Sequence, residues 1–221
     1  LEELAELADA GRPTAVLFIV HTPVARWFMP DYHTDLDLAR TLIDVRDRLD
    51  VHAAAVTWRQ DLQLGSTCRA LEIPWDWLDR EVRDAGGYVL LLRLKRRRRI
   101  GVGELGEITF EPGHYLYAGS AMRALSRRVE RHLRRRKRMR WHIDYLRDIA
   151  DDATALPIRH SQRNEHEIVD ALSRIARPAA PGFGASDSPH VTHLFHCPDS
   201  PLQDPVFHQE LQKLRMRHPG G

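Results

Sequence analysis

The spacing of apolar residues changes at Gly86-Gly87, and that change limits what the chain can fold into. Before the glycine pair, helix-like and strand-like stretches alternate; after it, short strands come first and helices follow. A chain of 221 residues is long enough for two small domains, each burying a core of its own. The boundary is expected at residues 80–86, where the polar, Trp-containing stretch from Pro74 to Ala85 leads into the glycines.

In the first unit, Leu1, Leu4 and Leu7 recur at helical spacing and stop at Ala10-Gly11, where glycine supplies a C-terminal cap. Ala15 to Val20 (AVLFIV) is a continuous apolar run with β-branched residues, which predicts a strand covered on both faces. Thr22 to His33 holds Pro23 and Pro30 and reads as loop. Leu38, Leu42, Val45 and Leu49 share one face of a helix from Asp35 to Leu49, with Thr34 or Asp35 as N-cap. A strand is expected from Val51 to Trp58 and a hairpin turn from Asp61 to Gly65. Helix, strand, helix, strand is an α/β half-domain.

In the second unit, Tyr88 to Leu94, Gly106 to Phe110 and Tyr115 to Ala118 read as three strands of an antiparallel meander, with residues 96–104 a basic turn. Met122 to Arg136 carries Leu125, Val129 and Leu133 as one apolar stripe on a basic helix. A helix from Trp141 to Ala150, a strand from Ala153 to Ile158 and a helix from Glu165 to Ile175 follow. Residues 177–190 are a Pro/Gly/Ser-rich loop, and 197–221 a polar tail compatible with a helix. The fold class is α+β: a small three-stranded antiparallel sheet with helices, preceded by the α/β half-domain.

Net charge is only +2, yet Arg127 to Arg140 carries nine Arg/Lys in fourteen residues and Lys95 to Arg99 is unbroken basic sequence. Such runs serve either a solvated helix face or a phosphate backbone. No apolar run approaches the ~18 residues of a membrane span, so a membrane role is not expected. Residues 1–10 lack the basic-then-apolar pattern of a secretory signal and read as the middle of a longer chain. Cys68 and Cys197 are far apart, which argues against a disulfide framework or structural zinc site and fits a cytoplasmic protein.

Gly86-Gly87-Tyr88 and Tyr117-Ala118-Gly119 are similar to the two triplets of the GIY-YIG nuclease superfamily, with Ala118 in place of the second isoleucine. After its second triplet that family has a helix bearing an Arg and, one turn later, a His or Tyr; Arg128 and His132 stand there. The string YAGSAMRALSRRVERHLRR, then WHIDYL, EHEI, GFGASD and HLF, resembles the Uri-type branch over residues 86–196. That branch often shows two cysteines where this sequence has Ser188 and His190. LEELAELADAGRPTAVLFIV, the loop through Phe28-Met29-Pro30 to His33-Thr34-Asp35, and LDVHAAAVTW resemble the C-terminal half of the sugar fermentation stimulation protein (SfsA) family, over residues 1–80. This second resemblance implies DNA binding on a restriction-endonuclease-like fold, without that family's acidic and lysine metal motif.

Together the resemblances imply a DNA-binding protein with a divalent-metal-dependent endonuclease domain; the alternative is a nucleic-acid-binding module that retains the fold and does no chemistry. The site so implied has Tyr88 and Tyr117 orienting or deprotonating the attacking water, with Tyr117 the closer. Arg128 faces the phosphate and His132 the leaving oxygen or the phosphate. Gly119 permits close backbone approach, and Arg127, Arg131 and Arg135 bind substrate. Glu165, with Glu167 as second choice, holds Mg²⁺ or Mn²⁺. His142 and Asp144 match the branch pattern and either support the site or serve as cap and core. Read without the resemblance, Tyr88 and Tyr117 are equally amphipathic strand residues with a buried ring, and Glu165 an ordinary helix-start glutamate.

Overall fold

The computed structural model describes residues 1–186 and 188–217, which form two compact units divided between Val82 and Arg83. No described helix is long and apolar enough to cross a membrane.

The first unit begins with α1 (Glu2–Asp9). The chain turns at Gly11, whose φ of +79° lies in the left-handed region, while the Arg12 N–H closes back on the Leu7 carbonyl. Next come β1 (Ala15–Val20), α2 (Leu36–Val45), β2 (Asp50–Trp58), β3 (Leu64–Ala70) and α3 (Trp75–Glu81). Strand β1 pairs parallel with β2 across the α2 crossover, and β2 pairs antiparallel with β3. Asp35 is the N-cap of α2, its carboxylate accepting the Leu38 N–H at 2.9 Å. Two expectations fail here. Helix α2 ends at Val45 and buries Leu36, Ala39, Leu42 and Val45, which leaves Leu38 exposed. Strand β1 is covered on one face only: Leu17 and Ile19 point outward, since its unit supplies no layer over that face.

The second unit is built on an antiparallel sheet of five strands, not three, in the order β8-β4-β7-β10-β9. They are β4 (Gly86–Leu94), β7 (Gly113–Ala121), β8 (Asp152–Arg159), β9 (Arg177–Pro178) and β10 (Leu194–Cys197). The expected meander does not form: β4 pairs directly with β7, while β5 (Arg98–Gly101) and β6 (Glu107–Phe110) make a separate hairpin between them. The basic turn expected at 96–104 is therefore partly strand. Alternation along β4 feeds two cores. Tyr88, Leu90, Leu92 and Leu94 pack with Leu125 and Val129 of α4 (Leu125–Leu133) and Ile143 and Leu146 of α5 (His142–Ile149). Val89 and Leu91 face the opposite way, onto Ile168 and Leu172 of α6 (Glu165–Ile175) and Phe207 of α7 (Pro205–Arg215). The polar tail is thus structural as far as Arg217, because α7 buries Phe207 and packs Leu211 and Leu214 on the same core. Asp187 of the GFGASD string and the tail's residues 218–221 lie outside the described residues.

Asp84 joins the start of β4 to the site helix. Its carboxylate accepts the Ser126 N–H and hydroxyl and an Arg159 N–H at 2.7 to 2.9 Å, and its backbone carbonyl accepts the Leu125 N–H at 3.1 Å. The first turn of α4 is capped in this way without a side-chain cap of its own.

Candidate active site

Register brings the two tyrosines together. Tyr88 stands opposite Gly119 and Leu90 opposite Tyr117, so in antiparallel strands the two rings are diagonal neighbours on the α4–α5 face. Gly119 is the seat of the Tyr88 ring: a Cβ there would lie 2.4 Å from the ring's Cζ and hydroxyl. Gly184, at φ +70°, gives Tyr117 the same clearance, and the ring also meets Phe183 edge-on at 6.1 Å between centroids. The close approach made possible by Gly119 is thus to Tyr88.

The Tyr88 hydroxyl and His132 Nε2 are 3.0 Å apart. Burial drives the Tyr88 phenol well above its ordinary pKa; Tyr117, Glu165 and Asp144 add to the rise and Arg128 opposes it. The sequence-predicted tyrosines, arginine, histidine and glutamate therefore share one electrostatic neighbourhood. Burial also lowers the His132 pKa; Asp144 opposes this, while Lys137 and Arg131 reinforce it. The ring is neutral near pH 7.

Arg128 lies over the Trp141 ring at 4.9 Å from its centroid and Arg131 over the same ring at 4.4 Å, so the indole carries two guanidinium groups. The fate of the basic run is divided. Arg131 donates to both oxygens of Asp144 and to the Arg138 carbonyl, and Arg135 donates to the Ala150 carbonyl at 2.5 Å, at the end of α5. These N–H groups have partners inside the protein, while the Arg135 residue as a whole stays exposed. Lys137 is buried against Asp144 and the carbonyls of Arg131 and His132. Arg127, Arg136, Arg138 and Arg140 remain exposed.

Glu165 opens α6 on the far side of the sheet and reaches its end, where it accepts the Ser120 hydroxyl at 2.9 Å and stands 3.7 Å from His193 Nδ1. Glu167, two residues on, pairs with Arg217, so of the two glutamates Glu165 is the one that acts on Tyr88. Asp144 has no exposed surface and accepts the Trp141 backbone N–H at the start of α5, the cap-and-core role that its place in WHIDYL allowed. His142 Nδ1 accepts the Gly184 N–H at 3.1 Å, which fixes the loop behind Tyr117. Ser120, His193 and Trp141 carry no role in the sequence reading, although Ser120 follows the second triplet and Trp141 and His193 open the matched strings WHIDYL and HLF.

A family model described as a domain of unknown function, DUF123, matches residues 87–216, more than half of the chain. The chain belongs to the DUF123 family. No curated protein and no solved structure matches it. The DUF123 match covers every side chain of the site described above and all of α7, so the helix read as a tail falls within the family's domain.

Proposed function

We propose that the second unit is a phosphodiester-cleaving domain of GIY-YIG type that acts on nucleic acid, probing DNA through its basic helix and loop. The observation that carries this reading is that His132 lies 3.0 Å from the Tyr88 hydroxyl while Tyr117, Arg128 and Glu165 are near enough to act on it electrostatically. Hydrolysis of a phosphodiester forms a water-oxygen-to-phosphorus bond and breaks a phosphorus–oxygen ester bond. The water loses a proton and the departing alkoxide gains one. Tyr88 has a neutral imidazole on its hydroxyl and shares with Tyr117 the task of orienting the attacking water. Arg128, held flat on Trp141, offers a fork of donors to the nonbridging oxygens, whose negative charge grows in the transition state.

The residues present suit Mg²⁺ or Mn²⁺. Glu165 is partly exposed, and with the Ser120 hydroxyl it presents hard oxygen donors. Among the described residues no three His, Cys, Asp or Glu are grouped to hold an ion, so one carboxylate and waters would bind it, as is ordinary for Mg²⁺. A bound divalent cation supplies charge stabilisation at a phosphoryl oxygen.

One observation favours a second reading, a nucleic-acid-binding module without chemistry: Tyr88 and Tyr117 are only 2% and 7% exposed. Incubation with single-stranded, duplex and branched DNA and with RNA, with and without Mg²⁺ or Mn²⁺, separates the two. Metal-dependent cleavage that falls by ~10²-fold or more in Arg128→Ala supports the nuclease. Binding without cleavage of any substrate supports the module.

A further inference from the structure

Six polar groups converge on Asp144, far more than a helix cap requires. Its Oδ1 lies 3.2 Å from Arg131 Nη1, 3.0 Å from Lys137 Nζ and 3.5 Å from His132 Nδ1. Its Oδ2 accepts Arg131 Nη2 at 3.0 Å and the backbone N–H groups of Arg140 and Trp141 at 3.0 and 3.3 Å. Two cations against one carboxylate leave surplus positive charge beside the imidazole, which disfavours a second proton on it. The ring then carries one proton. His132 Nδ1 is buried and faces Asp144 in a contact too long for a well-formed hydrogen bond, and a hydrogen there is attracted to the carboxylate where a lone pair would be repelled. The second nitrogen, Nε2, is left with a lone pair opposite the Tyr88 hydroxyl.

We propose that Asp144 is a positioning residue that fixes His132 as the Nδ1–H tautomer and thereby sets the polarity of the Tyr88 hydroxyl. With this tautomer Tyr88 donates its hydrogen to Nε2 and turns its oxygen lone pairs toward the site as acceptors. With the opposite tautomer the ring would donate to Tyr88, whose own hydrogen would point outward, and the hydroxyl would repel the hydrogen of an incoming water. The same carboxylate anchors the Trp141 N–H and Arg131, and so steadies the indole on which Arg128 lies. The use of this polarity in cleavage rests on the nuclease reading; the tautomer does not.

The test is long-range ¹H–¹⁵N NMR of the full chain labelled at histidine nitrogen, near pH 7.5. Wild type is expected to show His132 with Nδ1 protonated and Nε2 bare, and Tyr88→Phe to show the same. Asp144→Asn should move most of the population to the Nε2–H form or to a mixture. A wild-type ring protonated at Nε2, or a folded Asp144→Asn that keeps the wild-type tautomer, overturns the proposal. Should Asp144→Asn not fold, the Tyr88→Phe spectrum decides: an unchanged tautomer supports Asp144, and a reversed one shows that Tyr88 sets it and overturns the proposal. If the tautomers are as expected and no nucleic acid is cut, the nuclease reading fails and the positioning role stands. If cutting occurs, Asp144→Asn should lower kcat by at least ~10²-fold with little change in KM.

Discussion

A carboxylate with no exposed surface persists as an anion only if its partners outweigh the loss of water, and Asp144 shows this in its titration. Burial acts to raise its pKa, but the close approach of His132 and hydrogen bonds from Arg131, Lys137 and the Arg140 N–H overcome that and hold it well below the usual carboxylate range. A folded-state value below the unfolded one means stability that is present above the unfolded pKa of about 3.9 and lost as pH falls below it. His132 has the same sign in a different window: its lowered pKa makes the unfolded state bind more protons below about pH 6.5, so stability falls as pH drops from there. His114 and His142, also lowered by burial, add to this. Urea melts of wild type should therefore weaken between about pH 7 and 5, and His132→Gln should flatten part of that slope; an unchanged slope refutes the buried neutral ring. Gly119→Ala is the steric counterpart. Its Cβ meets a ring that is buried and hydrogen-bonded, so about 1–3 kcal/mol of stability should be lost, read as a lower denaturation midpoint.

At the scale of elements, α4 and the loop after it divide their cations between folding and surface. Arg134 pairs with Glu130 one turn earlier, and with Arg131, Arg135 and Lys137 also engaged, Arg127, Arg128, Arg136, Arg138 and Arg140 are the five of the nine not tied to carboxylates or carbonyls in these contacts. If all five meet phosphates, log affinity for duplex DNA should fall against log salt with a slope between about −4 and −5. Arg136→Ala should reduce that slope by about 1 and leave the melting temperature alone. Lys137→Ala should do the reverse, costing about 3 kcal/mol of stability, the lower end for a broken buried pair because Arg131 still faces Asp144. Equal effects of the two variants on binding would show that the run acts as undivided charge. Strands β1 and β4 make a related contrast: both read as apolar runs, yet only β4 is covered on both faces. A run of that kind reports compatibility with burial, and which layers arrive is decided by elements distant in sequence, α4 to α7 for β4.

For the whole molecule, the two units differ in how completely each encloses its own sheet. Residues 83–217 carry helices on both faces of the five-stranded sheet and should melt cooperatively when expressed alone. Residues 1–82 leave Leu17 and Ile19 58% and 48% exposed on the open face of a three-stranded sheet, and the separated piece should aggregate or be rapidly digested. Limited proteolysis and calorimetry of both fragments check this, and a sharp reversible melt of 1–82 would show that its sheet needs no further cover.

Local chemistry was legible in the sequence. Glycine after α1, Asp35 before α2, the 3.6-residue stripe of Leu125, Val129 and Leu133, and the bounds of α6 all depend on neighbours a few residues apart, and the α+β class follows from their order. The resemblance implied that Tyr88, Arg128 and His132 belong together, and the fold brings His132 to the Tyr88 hydroxyl with Arg128 close enough to act on it. The five-stranded order, the separate β5–β6 hairpin, the inward turn of Arg131 and Lys137 and the saturation of Asp144 were not. Each depends on a partner brought close by pairing or packing across the chain, and a charged side chain looks the same in a sequence whether water or a buried carboxylate receives it. Only the tertiary structure decides that, because the free energy of the charge is set by what surrounds it.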